Sequence, residues 1–266
     1  MLELYRFFDY KDFIEYHGED YFGVVHTIFM ILATISIVVL CIVFRNAKHE
    51  KMDRYLKILS IIVPTLEIIK IVWESYWDIK MGHGFNLTGL LPLYTCSLFI
   101  YMLPIAAWTK GKVKDAALAY LATINIFGGL TNFYLTQILH HYPFFTFATF
   151  MSLSFHYLMV LTGLLIVVTR FKRFNWIDII KAWIPLVIFS VLVIPVDYAL
   201  KADYMLYYYG NGAPILPDIA KFFASINLRG IYTVIVMVGY LIIGGLFVSI
   251  YKLIYKLTLK NKKKAA

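Results

Sequence analysis

Two side chains in apolar segments of this sequence, the thiol of Cys96 and the imidazole of His156, are of the types that form a nucleophile and its base. The two apolar segments begin near Thr88 and Thr146. At a helical rise of about 1.5 Å per residue, Cys96 lies about 12 Å and His156 about 15 Å from the start of its segment. Similar depth is what a Cys/His nucleophilic pair needs, and such a pair would attack an ester carbonyl. The alternative is that Cys96 packs as a small residue and His156 is a core histidine.

Other polar side chains in apolar segments are candidates for orienting groups or substrate contacts. An oxyanion donor is predicted at Asn132, and an orienting carboxylate for the histidine is predicted at Glu67. The remaining candidates are His26, Asn125, Ser152 and Asp197. Glu67, Lys70 and Glu74 share a helix face at i, i+3 and i+7, which favours an internally neutralised charge cluster over an acid/base set. No metal-ligand spacing is evident, and we expect neither a metal nor a cofactor.

Hydrophobic residues make up 61% of the 266 residues and charged residues only 15%, which excludes an ordinary soluble domain. Runs of about 20 apolar residues fit helices that cross a bilayer, and alternation typical of a membrane β-barrel is absent. The sequence therefore predicts an all-α, polytopic seven-helix bundle as a single domain. The predicted spans are 22–44, 55–77, 88–108, 115–137, 146–169, 176–199 and 230–252. The second cysteine, Cys41, has no polar neighbours in its span and is predicted to pack.

The positive charges of the connections predict the orientation of the bundle. Sixteen lysines and arginines fall on one side of the seven predicted spans and five on the other. The positive-inside rule then places the N-terminus outside and the C-terminus in the cytoplasm, and we expect the membrane to be a bacterial plasma membrane. The net charge of +9 is concentrated in short loops and the basic tail 253–266, so it favours anionic lipid headgroups over nucleic acid as partner.

Two connections on the predicted outer side are distinctive. Segment 1–21 mixes acids with aromatics and lacks the basic start of a signal peptide, so we expect it to be retained as an external interfacial segment. The long loop 200–228 carries a tyrosine cluster, which suits an aromatic belt at the interface or a lid. A break is predicted in the third span, because Pro92 leaves the Thr88 carbonyl without its helical donor.

The segment LPLYTCSLFIYMLP, from Leu91 to Pro104, resembles the YwaF-type integral membrane protein family and its eukaryotic relatives. Matching features include the FGG of 127–129, SFHYL around His156, and DYMLYYYGNGAP from Asp203. His26 and Glu67 with Trp73 also fall at similar places. The eukaryotic relatives are transmembrane phospholipid acyltransferases with a cysteine in this motif and a histidine, so the resemblance implies those roles for Cys96 and His156. The family commonly has His at the position of Tyr94 and Asn at that of Asp203.

The main functional hypothesis is a lipid acyltransferase or acyl hydrolase that opens to the outer leaflet. Its partner would be a membrane phospholipid or lysophospholipid, and Cys96 would pass through a thioester. One alternative is a small-molecule or ion-coupled transporter, or a substrate-binding membrane protein, that uses Glu67, Lys70 and Glu74. Another is an accessory membrane subunit without catalysis.

Overall fold

The computed structural model describes residues 7–11, 18, 22–211, 213 and 215–265, with side chains up to residue 257. In this part of the chain there are ten α-helices and no strand. The all-α prediction is confirmed. Most of the predicted interfacial segment 1–21 and the side chains of the basic tail from residue 258 lie outside the described residues. The helices are α1 Val24–Phe44, α2 His49–Lys80, α3 Leu87–Leu90, α4 Leu98–Trp108, α5 Gly111–Leu121, α6 Ile124–Tyr134, α7 Phe147–Val168, α8 Ile177–Leu200, α9 Leu216–Ser225 and α10 Arg229–Ala265.

Five segments among the described residues are long and apolar enough to cross a membrane. They are Val24–Phe44, Gly111–His140, Phe147–Val168, Ile177–Leu200 and Arg229–Leu257, and each coincides with a span predicted from hydropathy. Their surfaces carry exposed aliphatic side chains; Ile31, Leu32 and Val191 are 54 to 68% exposed. Exposed aliphatic side chains of this kind suit contact with lipid acyl chains, whereas small and polar residues are expected at contacts between helices.

The other two predicted spans differ from the five. Helix α2 covers 55–77 as one continuous helix, but it contains too many charged residues to count among the helices apolar enough to cross a membrane. The segment 88–108 is interrupted, and only its second part, Leu98–Trp108, is an apolar helix of 11 residues. The count of seven spans and the outside placement of the N-terminus therefore stay predictions.

The chain divides into two compact units. Unit 1 contains α1, α2, α3, α7 and most of α6, and within it α1 and α2 both pack on α7. Unit 2 contains α4, α5, α8, α9 and α10, where α5 packs on α4 and α8, and α10 packs on α8 and α9. His156 belongs to unit 1 and Cys96 to unit 2.

Charged side chains between α5 and α8 form one cluster in unit 2. Lys172 bonds to Asp115 and donates to Asp178 at 2.9 Å, while Lys181 donates to Asp115 at 2.5 Å. Asp178 also accepts the backbone N–H of Asn175 at 2.7 Å. Lys172 and Asp178 are both buried, and buried charges persist only when paired in this way. The cluster ties the start of α8 to α5.

Candidate functional site

Cys96 lies at the end of a non-helical segment, residues 91–97, that separates α3 from α4. The N–H groups of Ser97 and Phe99 donate to the carbonyls of Tyr94 and Cys96 at 2.9 and 3.0 Å, which is the i to i+3 pattern of a tight turn. Ser97 is the N-cap of α4, so the partly buried Cys96 lies two residues before the first helical residue, Leu98. The break predicted at Pro92 is present and extends through Cys96. The predicted depth of 12 Å assumed a regular helical rise, which residues 91–97 do not have, so the depth of Cys96 stays a prediction.

Two tyrosines hold the residue next to the thiol. The hydroxyl of Tyr120 donates to the backbone carbonyl of Thr95 at 3.0 Å, and the hydroxyls of Tyr240 and Thr95 share a hydrogen bond of 2.8 Å. Both tyrosines are buried and interact electrostatically with the Cys96 thiol. Because Thr95 is held through its backbone and its side chain, the turn that presents the thiol has a fixed conformation. Sequence reasoning missed both residues, although a tyrosine inside an apolar span signals a hydroxyl that needs a partner.

The segment after α8 folds onto unit 2 in the same neighbourhood. The carboxylate of Asp203 accepts backbone N–H groups from Tyr208, Tyr209, Gly210 and Asn211 at 2.7 to 3.1 Å. The ring of Tyr204 packs edge-on against Tyr94 with centroids 5.1 Å apart. The turn is therefore built around one carboxylate rather than being an open loop.

Two members of the tyrosine cluster are buried instead of lying in an aromatic belt. Tyr204 is 1% exposed and Tyr207 is completely buried, with its hydroxyl 2.6 Å from that of Ser190. Burial raises the pKa of Tyr204 to about 12, so its hydroxyl stays protonated. The backbone N–H of Tyr204 donates to Asp197 at 2.7 Å, which gives this predicted site residue a structural contact at the end of α8. Asp197 has no exposed surface.

His156 lies in the middle of α7 and is 7% exposed. Its Nδ1 is 2.8 Å from the backbone carbonyl of Ser152, and Nε2 has no hydrogen-bond partner among the described residues. A carbonyl oxygen only accepts, so the bond assigns the proton to Nδ1, and the neutral ring then carries its lone pair on Nε2. This is the protonation state that a general base needs. Ser152, a predicted site residue, acts here through its backbone rather than its hydroxyl.

Helix α6 reaches α7 closely because of a glycine. A Cβ at Gly129 would lie 2.9 Å from Val160 Cγ2 and 3.2 Å from the carbonyl oxygen of His156. A side chain at this position would force Val160 or the α7 backbone to shift, so the glycine permits the close approach of the two helices. One turn later on α6, the exposed Asn132 donates its amide to the Gly128 carbonyl at 3.1 Å. Its role as an oxyanion donor stays a prediction.

The other predicted site residues make structural contacts. Glu67 is buried and accepts from Lys70 at 3.0 Å, as a neutralised cluster requires, and Lys70 also interacts electrostatically with His156. His26 is 1% exposed, with Nε2 3.2 Å from the Phe133 carbonyl. Asn125, fully buried, donates to the carbonyl of Leu121 at 3.2 Å. The roles predicted for all three in catalysis stay predictions, as does the pairing of Cys96 with His156.

A family model for the TMEM164 family matches residues 21–251, which is most of the sequence. The chain belongs to the TMEM164 family. Neither the curated proteins nor the solved structures contain a match to it. Membership in this transmembrane family, together with the five apolar helices, confirms the prediction of an integral membrane protein. For this TMEM164 family member, the YwaF-type relation and the bacterial membrane stay predictions.

Proposed function

We propose that this protein is a membrane-embedded acyltransferase that uses Cys96 as its nucleophile on lipid acyl esters. The observation that carries the proposal is the interruption of the apolar segment at residues 91–97, which contains Cys96. A break of this kind inside an apolar segment leaves backbone groups outside a regular helix, and it is tolerated where it is buried in protein or lines a cavity. A thiol that only filled space would fit equally well on an unbroken helix.

The start of α4 and the turn that carries this thiol form one hydrogen-bonded unit. The N–H groups of Leu98, Phe99 and Ile100 donate to the carbonyls of Thr95, Cys96 and Ser97 at 2.9 to 3.3 Å. Thr95, fixed by Tyr120 and Tyr240, keeps Cys96 at this position. These contacts within unit 2 support a fixed orientation of Cys96, and the proposal still requires a base to form the thiolate.

The proposal assigns the base to His156. Its Nε2 takes the proton of the thiol, the sulfur forms a bond to the acyl carbon, and the ester C–O bond breaks with the lysophospholipid leaving. The imidazolium protonates the leaving oxygen. In the second half of the reaction Nε2 removes a proton from an acceptor hydroxyl, which displaces the acyl group from sulfur; water as acceptor gives hydrolysis. The lone pair on Nε2 supports this assignment.

The experiment is trapping of the thioester. Purified protein in phosphatidylcholine vesicles with a labelled acyl chain should acquire a label that hydroxylamine releases. Cys96→Ala should abolish the label, while Cys41→Ala, which removes the other cysteine from α1, should retain it. His156→Ala should slow labelling by about 10² to 10⁴, the usual contribution of a general base.

Lipid turnover by Cys96→Ala at the rate of the wild type would refute the cysteine mechanism. Normal labelling of His156→Ala would leave Cys96 as nucleophile and remove His156 as base. An unlabelled wild type in vesicles with both donor and acceptor lipids would favour an accessory subunit. The transporter alternative has less support, because Glu67 is paired with Lys70 instead of lining a pathway as an uncompensated charge.

A further inference from the structure

Helix α9, Leu216–Ser225, carries apolar residues in two different settings. Its inner side packs against α10, and Ala220 on that side is 3% exposed. A second stripe of large apolar residues follows the helix at spacings of four, three and four residues and continues beyond both of its ends. In this stripe Ile215, Phe222 and Ile226 are 71, 59 and 45% exposed, and Ile219 is partly buried. Among the described residues, none buries the side chains of Ile215, Phe222 and Ile226.

The polar residues of α9 lie on a separate side. Asp218, Lys221 and Ser225 are all exposed. At about 100° per residue they cluster within roughly 60° of one another, and the centre of the apolar stripe is about 100° away. Helix α9 thus has one side against protein, one side that is apolar and exposed, and one side that is charged. This arrangement is typical of helices that lie flat in a membrane interface.

The turn after α9 fixes this helix beside a membrane-spanning one. Asn227 adopts a left-handed conformation with φ of 57°, and the N–H of Leu228 donates to the carbonyl of Phe223 at 2.8 Å. The N–H of Asn227 donates to Ala224, which completes a Schellman motif, and α10 begins two residues later at Arg229. Four peptide steps of at most ~3.6 Å keep the end of α9 within about 14 Å of the start of α10.

The length of α10 is sufficient for its start to lie at a membrane boundary. Its apolar part, Arg229–Leu257, has 29 residues, which at ~1.5 Å each is about 43 Å and exceeds the ~30 Å hydrocarbon core. The exposed aliphatic surface continues without a gap from Leu228 to Ile231 and Val234, at 46, 45 and 57% exposure. Exposed apolar side chains therefore follow one another along the chain from the stripe on α9 to the start of α10.

We propose that α9 docks into the lipid interface at the N-terminal end of α10, with Ile215, Ile219, Phe222 and Ile226 inserted among the acyl chains near the headgroups. Asp218, Lys221 and Ser225 face the aqueous side. This docking involves no residue of the catalytic proposal. It makes the connection between α8 and α10 a membrane-anchored element instead of a solvated loop.

The test measures immersion of single positions on α9. Nitroxide spin labels are attached to Phe222→Cys and, as the matched control on the polar side, to Lys221→Cys, in full-length protein that also carries Cys41→Ala and Cys96→Ala. In phosphatidylcholine vesicles the label at 222 should collide with oxygen several-fold more than with a water-soluble nickel chelate. The label at 221 should show the opposite preference.

Equal access of the nickel chelate to both positions would show a solvated helix and overturn the proposal. Exclusion of both reagents from position 222 would show a protein cover, such as a second copy of the chain, and would also overturn it. If the double alanine background does not fold, the two variants are made with Cys41 and Cys96 retained. A charged, membrane-impermeant thiol reagent should then modify Lys221→Cys above the wild-type level and leave Phe222→Cys near it.

Discussion

The surroundings of His156 and of Cys96 are built in different ways. His156 lies on an unbroken helix, and its hydrogen-bond partner is Ser152, four residues earlier on the same helix. Cys96 lies on an irregular turn, and the residue beside it is held by Tyr120 and Tyr240, which are 25 and 145 positions away from Thr95. The first arrangement follows from helical periodicity. The second depends on tertiary packing, so it was invisible in the spacing of the residues.

The largest expected effect on stability concerns the close approach of α6 to α7, the helix that carries His156. Gly129→Ala should destabilise the protein by about 1–3 kcal/mol, since its Cβ would lie 2.9 Å from Val160 and must displace the helix that carries His156. Gly128→Ala is the control, because its Cβ meets only the end of Met159 at 3.6 Å, and the gain in helix propensity should make it neutral or stabilising. Unfolding in mixed detergent micelles measures both. Equal stabilities would show that α7 is free to move away from α6.

A smaller loss is expected for the ion pair on α2, which the i to i+3 spacing predicted. Lys70→Met should cost roughly 1–2 kcal/mol, because it leaves the carboxylate of Glu67 buried without its donor while Lys70 itself is partly exposed. Replacing both residues, with Glu67→Gln added, should recover part of the loss. Unfolding free energies for the two single variants and the double variant form the cycle. Additive losses would mean that the two side chains do not interact.

These cases show where sequence reasoning succeeds and fails for this molecule. Five spans followed from hydropathy, and the pair of Glu67 and Lys70 followed from helical spacing, because both are local consequences of chain geometry. The break at Pro92 was also predictable, since proline removes a donor. The extension of this break through Cys96 was not predictable, because side chains from other helices stabilise the turn. For the same reason the sequence predicts an interfacial loop where the structure has a buried tyrosine turn around Asp203.

Tyr240→Phe tests whether tertiary contacts hold the turn that carries Cys96. The Tyr240 hydroxyl bonds to Thr95 at 2.8 Å and donates to the Met205 carbonyl at 3.3 Å. Its loss should cost about 1 kcal/mol and should lower the rate at which Cys96 forms a thioester, because the turn loses one of its two supports. Tyr251→Phe is the matched control on the same helix. It removes a hydroxyl bonded at 2.5 Å to the Ala122 carbonyl, so stability should fall equally while reactivity stays at the wild-type level. Equal loss of reactivity in both variants would mean that Tyr240 acts only through stability.

The smallest effect on stability is expected at Asn132. Its side chain is exposed and its amide donates within its own helix to Gly128, so Asn132→Ala should change the unfolding free energy by less than about 0.5 kcal/mol. If the amide turns to the oxyanion during acyl transfer, the same change should slow thioester formation by about 10² to 10³. Thr131→Ala is the control, since that hydroxyl also donates to Gly128, at 3.1 Å, and has no assigned role in the reaction. Unchanged thioester formation in Asn132→Ala would remove Asn132 from the mechanism. The proposed mechanism would then use only one residue from a regular helix, His156, together with Cys96 on the irregular turn.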